Sequence, residues 1–121
     1  KSKEEDLRTR AIRMADWLLT CQRENGAFAG HHVGIKAEPG IFNTGQVLFG
    51  LLRAFKETGN DKYLKAAERA GDFILRDQDE DGAWRKHSFN GCPHAYHARV
   101  SWALLELNRE TQDGTYDKTA L

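Results

Sequence analysis

The sequence predicts an all-α protein of antiparallel helical hairpins, two repeats followed by the start of a third. Three observations carry this reading. Arg13-Met14-x-x-Trp17-Leu18-x-x-x-Gln22-x-x-x-Gly26-x-Phe28 is answered by Arg69-Ala70-x-x-Phe73-Ile74-x-x-x-Gln78-x-x-x-Gly82-x-Trp84, every position offset by 56 residues, a period that suits a helical-hairpin unit. Apolar residues recur at helical spacing in four segments. Those segments alternate between one-sided amphipathic and apolar nearly all round, the patterns of outer and buried helices.

The first helix is expected over residues 3–22, with Leu7, Ala11, Met14, Leu18 and Cys21 in one stripe widened by Trp17. Ser2 and Glu5 have capping-box spacing, which favours a start near Lys3. Residues 23–40 form a long loop carrying Gly26, Gly30, Gly34, Pro39 and Gly40. The second helix, 41–57, is apolar on most sides, and Gly45 and Gly50 in its interior imply close helix–helix approach. Gly59-Asn60 makes a short turn, so the third helix, 61–77, runs back antiparallel. Tyr63, Ala66, Ala67, Ala70, Phe73 and Ile74 form its single stripe. A second long loop, 78–95, is followed by a fourth, apolar helix over 96–110. Glu110 to Tyr116 echoes Glu57 to Tyr63, so a fifth helix should begin near Thr115.

The chain of 121 residues is the size of one domain, with 40% hydrophobic and 30% charged residues, as in ordinary globular proteins. Eighteen basic and 18 acidic residues balance to zero net charge. That balance gives no electrostatic case for nucleic acid or an anionic membrane. No apolar run approaches the ~20 residues that span a bilayer. Cys21 and Cys92 are too few and too far apart for a disulfide framework, so reduced thiols and a cytoplasmic setting are expected. No cofactor is expected. The inner helices have more apolar surface than their neighbours in the chain can cover, and neither end reads as a polar cap. The chain, which begins at Lys1 rather than Met, is therefore expected to be part of a longer protein or to associate with copies of itself.

Two resemblances follow from these residues. Gln78-Asp79-Glu80-Asp81-Gly82-Ala83-Trp84, with Arg69-Ala70 and Phe73-Ile74 before it, resembles the QW motif of squalene and hopene cyclases. Gly59 to Ala67 is similar to the hairpin turns of six-hairpin glycosidases and sugar epimerases. Both groups share the α/α toroid, a ring of hairpins around a central cavity. The resemblance covers about Leu7 to Tyr116 and implies one hairpin-repeat domain over 1–121, a segment of a ring-shaped protein. In the related cyclases the Gln ties the helix end to the following turn and the aromatic stacks on it, so Gln22, Phe28, Gln78 and Trp84 are expected to be mainly structural.

In this topology both long loops and the starts of both inner helices lie at one end. All five histidines fall there, at 31, 32, 87, 94 and 97. The reading favoured is a carbohydrate-acting or carbohydrate-binding segment with its cleft at that end. His32, Tyr96 and His97 are the candidate acid–base residues, since an epimerase uses such groups. His31, Asn43, Trp84, His87 and His94 are candidate substrate-binding residues. A glycosidase would need two carboxylates roughly 5–9.5 Å apart. Asp79 and Asp81 share one turn, whereas Glu38 and Asp81 come from different loops. Terpenoid cyclase or prenyltransferase chemistry is an alternative, for which Tyr96-His97 resembles a prenyltransferase histidine position. The protonating Asp-x-Asp-Asp and zinc-binding Asp-x-Cys motifs are missing. Cys92-x-His94-x-x-His97 could also supply metal ligands, although its spacing matches no standard zinc pattern. A non-catalytic repeat module that binds a protein partner is the remaining alternative.

Overall fold

The computed structural model describes residues 1–30 and 38–120. Among the described residues the chain folds into α1 (Lys3–Cys21), α2 (Ile41–Thr58), α3 (Asp61–Asp77), α4 (Ala98–Thr111) and α5 (Thr115–Ala120), without strands. α1 begins as its sequence predicts. Ser2 Oγ accepts the Glu5 amide, and the Glu5 carboxylate accepts the Ser2 amide, which satisfies two groups that a helix start leaves open. Gly59, in the left-handed region, ends α2 and donates its amide back to Phe55. Asn60 then caps α3 through the Lys62 amide, so the two helices run antiparallel with almost no connection between them.

α2 lies at the centre, packed on α3 and α4. Leu48, Leu51 and Leu52 meet a core that includes Tyr63, Ile74, Leu104 and Leu107. Gly45 permits close approach: a Cβ there would lie 3.2 Å from Val100 Cα on α4. Gly50 behaves differently from its sequence reading, because nothing stands within 4 Å of its Cβ position. It borders an open apolar groove of about 560 Å³ between α1 and α2.

The predicted α1 stripe also turns out rotated. Ile12, Ala15, Leu18 and Leu19 point to the core, while Leu7, Ala11, Met14 and Cys21 are exposed, as is Trp17. Of that stripe, Leu7, Ala11, Met14 and Leu18 line the groove. Their counterparts 56 positions on, Tyr63, Ala67, Ala70 and Ile74, are buried because α2 and its neighbours cover α3.

The repeat is visible in the contacts. Tyr63 donates its hydroxyl to Asp16 at 2.6 Å, and Tyr116 donates to Asp72 at 2.9 Å, each tying one outer helix to the previous one. Gln22 Nε2 donates to the Gly26 carbonyl and Gln78 Nε2 to the Gly82 carbonyl, at 3.1 and 2.8 Å. The side chain thus closes the turn that follows its helix in both copies.

Candidate functional site

Two loops meet at one end of the hairpins, and each is tied down by hydrogen bonds. The first closes on itself where Gly30 N–H bonds the Glu38 carbonyl at 2.9 Å and Gly40 N–H bonds the Phe28 carbonyl at 3.0 Å. The second is held at its start by Trp84, whose indole donates to the Ile74 carbonyl at 2.9 Å and whose ring is 3% exposed. It then crosses to the first repeat. The His87 carbonyl accepts the Ile41 amide at 3.0 Å, filling one of the open donors at the start of α2.

Between the loops lies a cleft of about 730 Å³, within the usual range for small-molecule sites. Glu38, Phe42 and Asn43 line it from the first loop and α2; Lys86, His87, Phe89, Tyr96 and His97 line it from the second loop and the approach to α4. The expected meeting of loops and inner-helix starts is therefore present.

Tyr96 is 40% exposed in this wall. Its ring stacks on His94 with centroids 4.7 Å apart and meets Phe42 edge-on at 4.8 Å. Its hydroxyl has no hydrogen-bond partner among the described residues. His94 is anchored through Nε2 to the Phe89 carbonyl at 2.8 Å, so this nitrogen carries the proton. Both aromatic contacts restrict the Tyr96 ring while leaving its phenol open.

His97 is buried and has both ring nitrogens engaged. Nδ1 accepts the His94 amide at 3.3 Å. Ser88 Oγ gives its own hydrogen to the Trp84 carbonyl at 2.8 Å, so His97 Nε2, 3.3 Å away, donates to that oxygen. These partners assign the neutral, Nε2-protonated tautomer. Burial, and then the neighbouring His94, lower the His97 pKa from its ordinary value. The same contact explains a shift in the fourth helix. With Nδ1 holding the His94 amide, residues Ala95–His97 wind as a 3-10 turn, and α4 begins at Ala98 rather than at Tyr96.

His87 donates Nδ1–H to Asp77 Oδ1 at 2.7 Å, with side-chain exposures of 16% and 6%. The other Asp77 oxygen is buried without a hydrogen-bond partner among the described residues. Phe73 packs against the imidazole at 5.4 Å.

Among the predicted site residues, Asn43, His87, Tyr96 and His97 line the cleft, and His94 backs Tyr96. Trp84 sits behind His97, edge-on at 5.9 Å, and shapes the wall from inside. His31 and His32 lie outside the described residues. Of the carboxylates weighed for hydrolysis, Glu38 lines the cleft. Asp79 and Asp81 instead bind Arg85 at 2.8 and 2.7 Å, and Arg85 lowers the Asp81 pKa to about 2. The Glu38/Asp81 pair is therefore not assembled in the cleft. Cys92 is exposed and directed to the Asn90 carbonyl. Among the described residues no group of three or more His, Cys, Asp or Glu side chains could hold a metal ion, and none of the described helices is long and apolar enough to cross a membrane.

Sequence reasoning passed over Asp77, Ser88 and Phe89. Asp77 had a detectable signal. A carboxylate in the last turn of a helix opposes the helix dipole, and local violations of this kind mark functional or strained positions. Its counterpart in the first repeat is Cys21, so the aspartate is not a repeat feature. Ser88 and Phe89 carry no such mark.

Residues 31–103, more than half of the chain, match the family model described as D-glucuronyl C5-epimerase C-terminus. No curated protein and no solved structure matches the chain.

Proposed function

Because the chain belongs to the D-glucuronyl C5-epimerase C-terminus family, we propose that it is a carbohydrate-acting segment whose cleft takes a uronic acid residue of a saccharide and inverts its carbon 5. The observation that carries this reading is the coincidence of two spans. The matched residues, 31–103, take in the later part of the first loop, the whole of the second loop and the starts of α2 and α4, which are the segments that line the cleft.

The chemistry available suits an acidic sugar. Lys86 and the positive end of α2 lie on the cleft wall, and both favour a carboxylate. Phe42, Phe89 and Tyr96 offer aromatic surface to a sugar ring. Inversion next to a carboxylate requires a proton to leave one face of carbon 5 and another to arrive on the opposite face. Tyr96 is the acid–base group on one side. His97 positions that wall: its neutral ring holds the His94 amide and Ser88, and His94 in turn supports the Tyr96 ring. Asn43 supplies hydrogen bonds to sugar hydroxyls.

The test is to incubate the full chain in deuterium oxide with a glucuronate-containing oligosaccharide and follow carbon 5 by proton NMR. Deuterium incorporation with appearance of the iduronate epimer is the expected result. Neither exchange nor calorimetric binding, under conditions where the chain is folded, would overturn the proposal. Binding of a neutral oligosaccharide as tightly as the acidic one would overturn the uronate assignment.

A further inference from the structure

His87 combines three properties seldom found together in a merely structural histidine. It lines the cleft. Its Nδ1–H is committed to Asp77 at 2.7 Å. Nε2 has no partner among the described residues and forms the ring edge directed away from Asp77. His97, the other histidine on the wall, has the opposite arrangement, with its proton on Nε2 and both nitrogens occupied.

Asp77 fixes the tautomer and orientation of the His87 ring. Asp77 is nearly buried, and one of its carboxylate oxygens has no hydrogen-bond donor among the described residues. A buried carboxylate with unsatisfied acceptor capacity is costly. Its bond to Nδ1–H holds that proton in place, so the neutral ring presents Nε2 as its acceptor. The backbone fixes the other end. The His87 carbonyl on the Ile41 amide pins the residue where the second loop crosses to α2, and Phe73 packs on its ring. A carboxylate that sets the tautomer and orientation of a histidine is the recurring device for making imidazole a base.

We propose that His87, oriented by Asp77, is the base that removes the carbon 5 proton of the uronic acid, an assignment that rests on the function proposed above. The C5–H bond breaks, the proton goes to His87 Nε2, and the electron pair moves into the sugar carboxyl as an enediolate. Lys86 on the same wall offsets the added negative charge. With the sugar seated between the two groups, the Tyr96 hydroxyl delivers a proton to the face of carbon 5 turned away from His87, and the enediolate collapses to the inverted carboxylate. Solvent removes the proton from His87 and restores the one on Tyr96. The product is an isomer of the substrate, so no oxidant or reductant is needed. Among the described residues the Asp77 carboxylate hydrogen-bonds only to His87, so Asp77 is a positioning residue.

Three measurements on the full chain test this. Nitrogen-15 imidazole NMR should find neutral His87 protonated on Nδ1, and Asp77→Asn should shift this tautomer balance. His87→Gln keeps the backbone carbonyl that bonds Ile41. It should lower carbon 5 deuterium incorporation by about 100-fold or more while oligosaccharide affinity changes by less than about threefold. Asp77→Asn should lower exchange less than His87→Gln does. Exchange in His87→Gln at the wild-type rate would overturn the base assignment alone. No exchange in the wild type would overturn the proposed function and the base role with it. Where His87→Gln does not fold, the wild-type spectrum decides: neutral His87 protonated on Nε2 overturns the assignment, and the Nδ1-protonated form supports it.

Discussion

The backbone of Gly26 lies so close to Arg69 that a Cβ on the glycine would stand 2.1 Å from the Arg69 carbonyl oxygen. The turn after α1 is thereby seated directly on α3. Arg69 reinforces the contact by donating to the Arg23 carbonyl at 2.9 Å, and Arg76 donates to the Asn25 carbonyl at 2.8 Å.

Gly26 and Gly82 have nearly the same backbone, with φ of 91° and 86°, but different neighbours. Near Gly82 the closest atom is Gln78 Nε2, at 4.0 Å. Gly82→Ala should therefore cost only the left-handed strain, about 1–2 kcal/mol. Gly26→Ala adds a backbone clash that no side-chain movement relieves and should cost more than about 3 kcal/mol. Urea denaturation of the two variants checks this; equal midpoint shifts would contradict the seating of the first turn on α3.

Trp84→Phe separates support of the wall from contact with the ligand. The variant loses the indole bond to the Ile74 carbonyl and part of a buried ring, together worth about 1–3 kcal/mol. Chemical denaturation should report that loss, while saccharide affinity measured by calorimetry at a temperature where the variant is folded stays close to wild type. A large drop in affinity without a drop in stability would return Trp84 to the ligand-contacting residues.

Tyr96→Phe leaves the ring on His94 and Phe42 and removes only the hydroxyl. Epimer formation should fall by about 10²–10⁴-fold, with the oligosaccharide still bound. NMR detection of the product checks the rate. Unchanged turnover would remove Tyr96 from the acid–base pair.

The depressed pKa of His97 predicts a pH dependence of stability. The unfolded chain takes up this proton first, near the ordinary histidine value of about 6.5. Stability from His97 is thus fully present above that pH and declines as the pH falls below it, until the folded ring also becomes protonated. His97→Gln should flatten this part of the curve. Thermal melting between pH 7.5 and 5, about the range in which histidine titrates, measures it; a parallel slope in the variant would assign the effect elsewhere.

How far these features could be read in advance depended on what each residue's pattern encodes. Ser2–Glu5, Gly59-Asn60 and the Gln–Gly pairs are local signals, complete within a few residues, and the structure realises each of them. The α1 stripe was misjudged because Leu7, Ala11, Met14 and Leu18 match the helical period while their burial depends on which helix covers them. The meeting of loops followed from the hairpin topology. The roles inside the cleft did not, since the Asp77–His87 bond and the double engagement of His97 join side chains 10 and 9 or fewer positions apart through loop conformations that no periodicity specifies. Gly50 failed for a related reason: its spacing suggested contact, but the groove beside it is open.

The bond from the Ile41 amide to the His87 carbonyl makes the cleft wall a joint product of two hairpins. Phe42 and Asn43 stand in one copy of the duplicated hairpin, and His87 and Tyr96 in the next. A single hairpin would hold only half of this wall, so the site exists only where two copies pack side by side. The two copies differ where the wall is built: position 77 carries an aspartate, and its counterpart 56 residues earlier is Cys21.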